Sequence, residues 1–209
     1  MVIKFIKTSV VIVTFALLLP RCNKDNVGCP KQGYEYIHEN SFCYYMPASD
    51  SIQVGDTITL EASLPKTFID EKTNKTVTNT ASEIEGPLGI GMIYPTYQAA
   101  VDSFELIAHT GKIIKDTQQF SEGMLKGFRT IQWDASPIDS FKIKISIRAL
   151  AKGTYAFALK QQTAKDKDCA LYKYFLSPGN TNQHLNYWID VFGNASDIVA
   201  FYTYCIKIY

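Results

Sequence analysis

The sequence predicts an all-β chain: an antiparallel β-sandwich in one domain behind an N-terminal leader. Three observations predict it. Short runs of alternating apolar and polar residues recur along the chain, each of a length that suits a half-buried strand. Gly, Pro, Asn, Asp and Ser separate those runs and supply the turns. After the leader, no long stretch carries apolar residues at helical spacing.

The leader is residues 1–21. Lys4 and Lys7 give it a positive start, and Val10 to Leu19 form an apolar core interrupted by Thr14. That core is shorter than the roughly 20 apolar residues a spanning helix needs, so it reads as an export signal. Residues 22–32 are polar, contain Gly28 and Pro30, and read as a tether. The sandwich is assigned to residues 33–209.

Tyr34–Ile37 and Ser41–Met46 are its first strands. In Ile58–Leu64, the residues Ile58, Leu60, Ala62 and Leu64 share one face while Thr59, Glu61 and Ser63 share the other. Asp70 to Thr80 is polar and reads as an exposed loop or an irregular hairpin. Gly86-Pro87-Leu88-Gly89-Ile90-Gly91 lacks the Gly-Lys-Ser/Thr ending of a phosphate loop and reads as a turn or bulge. In 97–110, Gln98 to Val101 favour helix, but Phe104, Leu106 and Ala108 alternate with Glu105, Ile107 and His109, and Ser103–His109 is assigned as a strand. Gly127–Trp133 is the next. Phe141–Arg148 has the clearest alternation: Phe141, Ile143, Ile145 and Ile147 face in, and Lys142, Lys144, Ser146 and Arg148 face out. Val199–Tyr209 alternates again and ends the chain inside a strand. Residues 65–100 and 161–198 are elaborations of the sandwich.

The sequence bounds the function in several ways. The chain carries 21 basic and 20 acidic residues. Loss of the leader removes Lys4, Lys7 and Arg21, leaving 18 basic against the same 20 acidic, a side-chain charge of −2. No basic cluster offers a footprint for nucleic acid. Beyond Cys22, the cysteines are Cys29, Cys43, Cys169 and Cys205, an even number in an exported chain, which is expected to form disulfides. Three pairings exist; Cys29–Cys43 with Cys169–Cys205 is preferred because each pair brackets one local segment. No cysteine stands at ligand spacing from His38, His109 or His184, so no metal site is expected, and no cofactor motif is present. Glu83 and Glu85 are two apart but fall in an expected loop. No nucleophile motif accompanies the histidines. No catalytic residues are assigned, and the chain is expected not to be an enzyme.

Aromatic residues are the compositional excess, with 13 Tyr, 12 Phe and 2 Trp. Tyr172 and Tyr174, then Tyr187 and Trp188, with Trp133 beside them, are the candidates for an exposed sugar-binding platform. The competing use of such rings is core packing.

Several short segments carry resemblances. Leu18-Leu19-Pro20-Arg21-Cys22 resembles a bacterial lipoprotein signal, with Arg21 where such signals usually carry a small residue. Cys22-Asn23-Lys24-Asp25 resembles the start of Bacteroidota lipoproteins. This resemblance implies lipidation of Cys22, attachment to the membrane through that lipid, and residence at the outer membrane on its periplasmic or surface face. Leu150 to Tyr155, a Gly-Thr turn leading into a tyrosine, resembles the tyrosine corner of immunoglobulin-like domains; an ordinary hairpin at Lys152-Gly153 is the alternative. Asp50-Ser51-Ile52 and Asp56-Thr57-Ile58 resemble the O-glycosylation acceptor of exported Bacteroidota proteins. With Val54-Gly55-Asp56-Thr57 entering a strand, the chain resembles the immunoglobulin-like lipoproteins of Bacteroidota. The function expected is that of a lipid-anchored, non-catalytic binding or structural module with a glycan or a protein as partner. The alternatives are a carbohydrate-binding lipoprotein beside a glycan-uptake system and a hydrolase with scattered catalytic residues.

Overall fold

The computed structural model describes residues 34–94, 98–114, 128–159, 161–179 and 203–209. The strands run in chain order as β1 (Glu35–Met46), β2 (Ser51–Ile52), β3 (Thr57–Pro65), β4 (Thr67–Ile69) and β5 (Thr76–Thr78). Next come β6 (Glu85–Tyr94), β7 (Gln98–Ala99), β8 (Phe104–Thr110), β9 (Lys112–Ile114) and β10 (Phe128–Gln132). The last are β11 (Ser140–Ala149), β12 (Gly153–Ala158), β13 (Gln161–Lys165), β14 (Leu171–Pro178) and β15 (Thr203–Ile208). Among the described residues the one helical element is a 3-10 turn at Val101–Ser103. The all-β expectation holds, and the helical propensity of Gln98 to Val101 leaves only that turn.

Hydrogen bonding is continuous in the order β8-β11-β3-β1-β14-β13-β6-β12-β15-β2, with β7, β9 and β10 attached beside β6. The sheet folds over on itself. Rings from its two halves meet: Tyr45 on β1 stacks on Tyr204 of β15 at 4.5 Å and lies 5.8 Å from Phe157 of β12. Phe104 of β8 meets Tyr155 and Phe157 edge-on at 4.8 and 5.2 Å. The result is sandwich-like, with these rings in the middle.

The alternating runs are placed as the sequence predicts. Ile58, Leu60, Ala62 and Leu64 are buried on β3, and Phe141, Ile143, Ile145 and Ile147 are buried beside them on β11. Each of the leucine, isoleucine and phenylalanine side chains contributes roughly 1.5–3 kcal/mol by leaving water. Lys142, Lys144 and Arg148 are exposed on the opposite face.

Three expectations are corrected. The sandwich is not purely antiparallel: β1 pairs parallel with β14, and β2 with β15. Both pairs join strands far apart in sequence, and local alternation says nothing of direction. The Gly86–Gly91 stretch is no turn but the first part of β6. A Cβ on Gly86 would meet the Gln162 side chain at 2.4 Å, and one on Gly89 the Phe128 ring at 2.6 Å. Neighbouring side chains lie flat across the strand there, so the glycines are a matter of space. The hairpin reading of Lys152-Gly153 also fails. β11 pairs with β3 and β8, whereas β12 pairs with β6 and β15, so the link crosses between the two halves. The Tyr155 hydroxyl donates back to the carbonyls of Ala151 (3.2 Å) and Lys152 (3.1 Å), which is the tyrosine-corner bond.

The polar 70–80 segment is the hairpin of β4 and β5. Asp70 is fully buried at its base. Its Oδ1 accepts from the Ile37 amide (2.8 Å), and its Oδ2 accepts from the Thr73 amide and hydroxyl (2.9 and 2.6 Å). One carboxylate thus closes the turn and fastens the hairpin to β1.

Candidate functional site

The outer face of β1, β3 and β11 forms a trough, and its walls follow from strand alternation. Cys43 and Tyr45 face the core, so Phe42, Tyr44 and Met46 face out. They are 51, 49 and 43 % exposed. Glu61 and Ser63 project from β3 next to them, and Lys142 and Lys144 from β11 beyond. Cross-strand register sets Tyr44 opposite Glu61, Glu61 opposite Lys144, and Lys144 opposite Thr110 of β8. Ser63 stands opposite Lys142. Between the rings on one side and the lysines on the other lies a cavity of about 760 Å³. Its polar end is at His38, Asn40 and Ser41, where the pairing of β1 with β14 shifts register. Such bulges commonly re-aim side chains beside binding sites. Gly179 lies against Tyr44, with no room for a side chain between them.

Charge in the trough is balanced. Lys144 forms an ion pair with Glu61. Lys142 lies close enough to Asp134 and Asp139 to help hold both carboxyls below their ordinary value, although hydrogen bonds to Ser136 and Ser140 do more. Farther along the same face, Arg148 pairs with Glu105 at 2.5 Å. Burial lowers the His38 pKa against the opposing pull of Glu71, so its ring is neutral at neutral pH.

The sugar platform expected from the sequence is not where it was sought. Tyr172 and Tyr174 are 3 and 0 % exposed. They alternate inward on β14, and each hydroxyl has core partners. Tyr172 donates to Asp166 Oδ2 (2.8 Å), and Tyr174 donates to the Pro65 carbonyl (3.0 Å) while accepting from Asn79 Nδ2 (3.0 Å). Burial and the bond to Asp166 push the Tyr172 phenol up to about 12. Trp133 is buried as well, its indole N–H donating to Gln162 Oε1 at 2.9 Å. Tyr187, Trp188 and His184 lie outside the described residues. The rings that do face water are Phe42 and Tyr44, on a stretch of β1 that is apolar on both faces, where alternation does not say which side is buried. A strand with two apolar faces was itself the signal.

The cysteines are also corrected. Cys43 and Cys205 are buried outside any disulfide, so neither Cys29–Cys43 nor Cys169–Cys205 forms. Cys43 faces the core from β1, its Sγ donating to the Ser177 carbonyl at 3.8 Å, and burial pushes its thiol up to about 12. It is a packing group, not a reactive one. Cys205 sits on β15 against Ile93 and Ala156. Cys169 is disulfide-bonded, in a turn where its φ is +69°. Cys22 and Cys29 lie outside the described residues.

No group of three or more metal-ligating side chains occurs among the described residues. His109 Nε2 and Ser146 Oγ are 2.7 Å apart on the exposed face of β8 and β11. That is the spacing of a nucleophile and its base, but among the described residues no carboxylate bonds the other ring nitrogen to orient it. Glu83 precedes β6 and Glu85 begins it, so the two do not share a strand face.

No protein-family model matches the chain. No curated protein matches it either. Solved structures similar to it include a cohesin module from a family 33 glycoside hydrolase of Clostridium perfringens, at 9% identity over 66% of this chain and 97% of that one, with a TM-score of 0.35. Another is the second type II cohesin module of the cellulosomal adaptor ScaA scaffoldin of Acetivibrio cellulolyticus, at 13% identity over 66% and 94% of the two chains, with a TM-score of 0.35. A third is a non-cellulosomal cohesin from Archaeoglobus fulgidus, at 13% identity over 65% and 90%, with a TM-score of 0.29.

Proposed function

We propose that the chain is a lipid-anchored protein of a bacterial outer membrane whose immunoglobulin-like sandwich is a non-catalytic binding module. The observation that carries the binding role is the trough. Half-exposed rings on β1 face a row of polar side chains across a cavity of ligand size. The crossover pinned by Tyr155 supports the immunoglobulin-like assignment. The anchor rests on the leader and on Cys22, with residues 23–32 giving reach above the bilayer.

Fractionation tests the anchor. Expressed in a bacterium with lipoprotein-processing enzymes, the full chain partitions with the outer membrane, and its mature N-terminus carries an acylated Cys22 by mass spectrometry. The Cys22→Ser chain moves to the soluble or inner-membrane fraction. Retention of Cys22→Ser in the outer membrane overturns the anchor.

A further inference from the structure

The geometry points to a neutral oligosaccharide as the ligand of the trough, held with its ring faces on Phe42 and Tyr44 and its hydroxyls toward β3 and β11. This inference rests on the binding-module reading and narrows it. Four observations carry it. First, Phe42 and Tyr44 are two apart on one strand face, roughly 7 Å along the strand. They therefore present successive ring faces or edges along one line. An apolar ring face on a sugar, rimmed by hydroxyls, matches such a wall better than a wholly apolar ligand, because the facing side chains are polar.

Second, those side chains are hydroxyl and charged groups on the two strands next to the rings, Ser63 and Glu61 on β3 and Lys142 and Lys144 on β11 beyond it. They offer both donors and acceptors, as a polyhydroxylated chain requires. Third, the charges cancel. Glu61 neutralises Lys144, and Asp134 and Asp139 lie near the two cations Lys66 and Lys142, with Lys66 Nζ held on the Ala135 and Pro137 carbonyls between them. An acidic polymer would find no net positive field, and a cationic one no net negative field. Fourth, the exposed apolar surface of the trough is a single line of residues along β1 rather than a broad patch. A folded protein partner needs about 800 Å² of complementary surface on each side. Phe42, Tyr44 and Met46 supply an apolar line, not a patch of that size.

Isothermal titration of the full chain in detergent tests it, with four neutral probes: cellohexaose, mannohexaose, laminarihexaose and maltohexaose. Trigalacturonate is the acidic probe. At least one neutral hexasaccharide gives saturable binding. Tyr44→Ala and Phe42→Ala each weaken it about tenfold or more, while Tyr44→Phe, which keeps the ring, retains it. Val54→Ala, at an exposed site before β3 that does not line the trough, leaves it unchanged. Circular dichroism melts identify any variant that has lost its fold, and Tyr44→Phe keeps the test decisive in that event. Failure of all four neutral probes overturns the inference. So does binding that survives both alanine variants, or tighter binding of trigalacturonate. A purified envelope protein that binds the wild-type chain and loses binding in Tyr44→Ala would overturn the saccharide while leaving the binding module standing. The membrane partition of Cys22→Ser is independent of all these outcomes.

Discussion

Tyr155 shows how much one side chain can settle. Its hydroxyl reaches back three and four residues to carbonyls that the crossover would otherwise leave exposed. Its ring sits against Gly153, where a Cβ would come within 3.1 Å of it, and Gly153 holds φ at +152°, which suits glycine. Two substitutions separate the two contributions. Tyr155→Phe removes the hydrogen bond and keeps the ring, and should lower stability by about 1 kcal/mol, read as a drop in urea midpoint at constant m-value. Gly153→Ala adds backbone strain and a clash, and should cost more than Tyr155→Phe in the same assay. This corner was legible because all its parts lie within six residues. Asp70 was not. Its role depends on the amide of Ile37, 33 positions away, and nothing in Ile-Asp-Glu-Lys announces that contact.

At the scale of the element, alternation was readable wherever one face meets water. β3 and β11 have polar outer faces, and their core residues were assigned correctly. β1 and β6 defeated the same reasoning for opposite reasons. β1 carries apolar residues on both faces between Phe42 and Met46, so alternation could not say which rings are buried. β6 carries three glycines and a proline, which normally punctuate a chain. Its glycines are explained only by what crosses them. The Gln162 side chain passes over Gly86 to accept from the Trp133 indole, and its Nε2 donates to the Gln161 carbonyl at 3.0 Å. Gly86→Ala pushes Gln162 aside and leaves the buried indole N–H without its acceptor. The expected cost is about 1–3 kcal/mol, the penalty for a buried unsatisfied donor. The urea midpoint should fall accordingly, with a shift in tryptophan emission relative to wild type. An unchanged midpoint would mean that Gln162 finds another route to Trp133.

The molecule as a whole is stapled at two points by buried or half-buried carboxylates, and this sets its response to acid. Asp70 fastens the β4–β5 hairpin to β1. Asp166 does the equivalent for the β13–β14 turn, where its Oδ1 accepts from the Asp168 and Ala170 amides (2.9 and 3.0 Å) and its Oδ2 from the Tyr172 and Thr80 hydroxyls (2.8 and 3.1 Å). In both, burial works against the charge. The hydrogen bonds outweigh it, and each carboxyl is held below its ordinary value of 3.8. A group whose pKa is lowered by folding binds fewer protons folded than unfolded. Its stabilisation is therefore complete above about pH 4 and is lost as pH falls through the folded value. His38 acts in the same direction at higher pH. Burial lowers its pKa from 6.5, so the unfolded chain takes up a proton first and stability declines as pH drops below that value. Urea midpoints measured between pH 7 and pH 3 should thus fall in two stages, a shallow one beginning near pH 6.5 and a steeper one below about pH 4. His38→Gln should remove the first stage. Asp70→Asn should lower the midpoint at pH 7 and flatten the second stage, since the amide keeps the shape but offers a donor where Thr73 and Ile37 also donate. A second stage as steep in Asp70→Asn as in the wild-type chain would move the acid sensitivity to other carboxylates and deny the hairpin staple its place in holding the sandwich together.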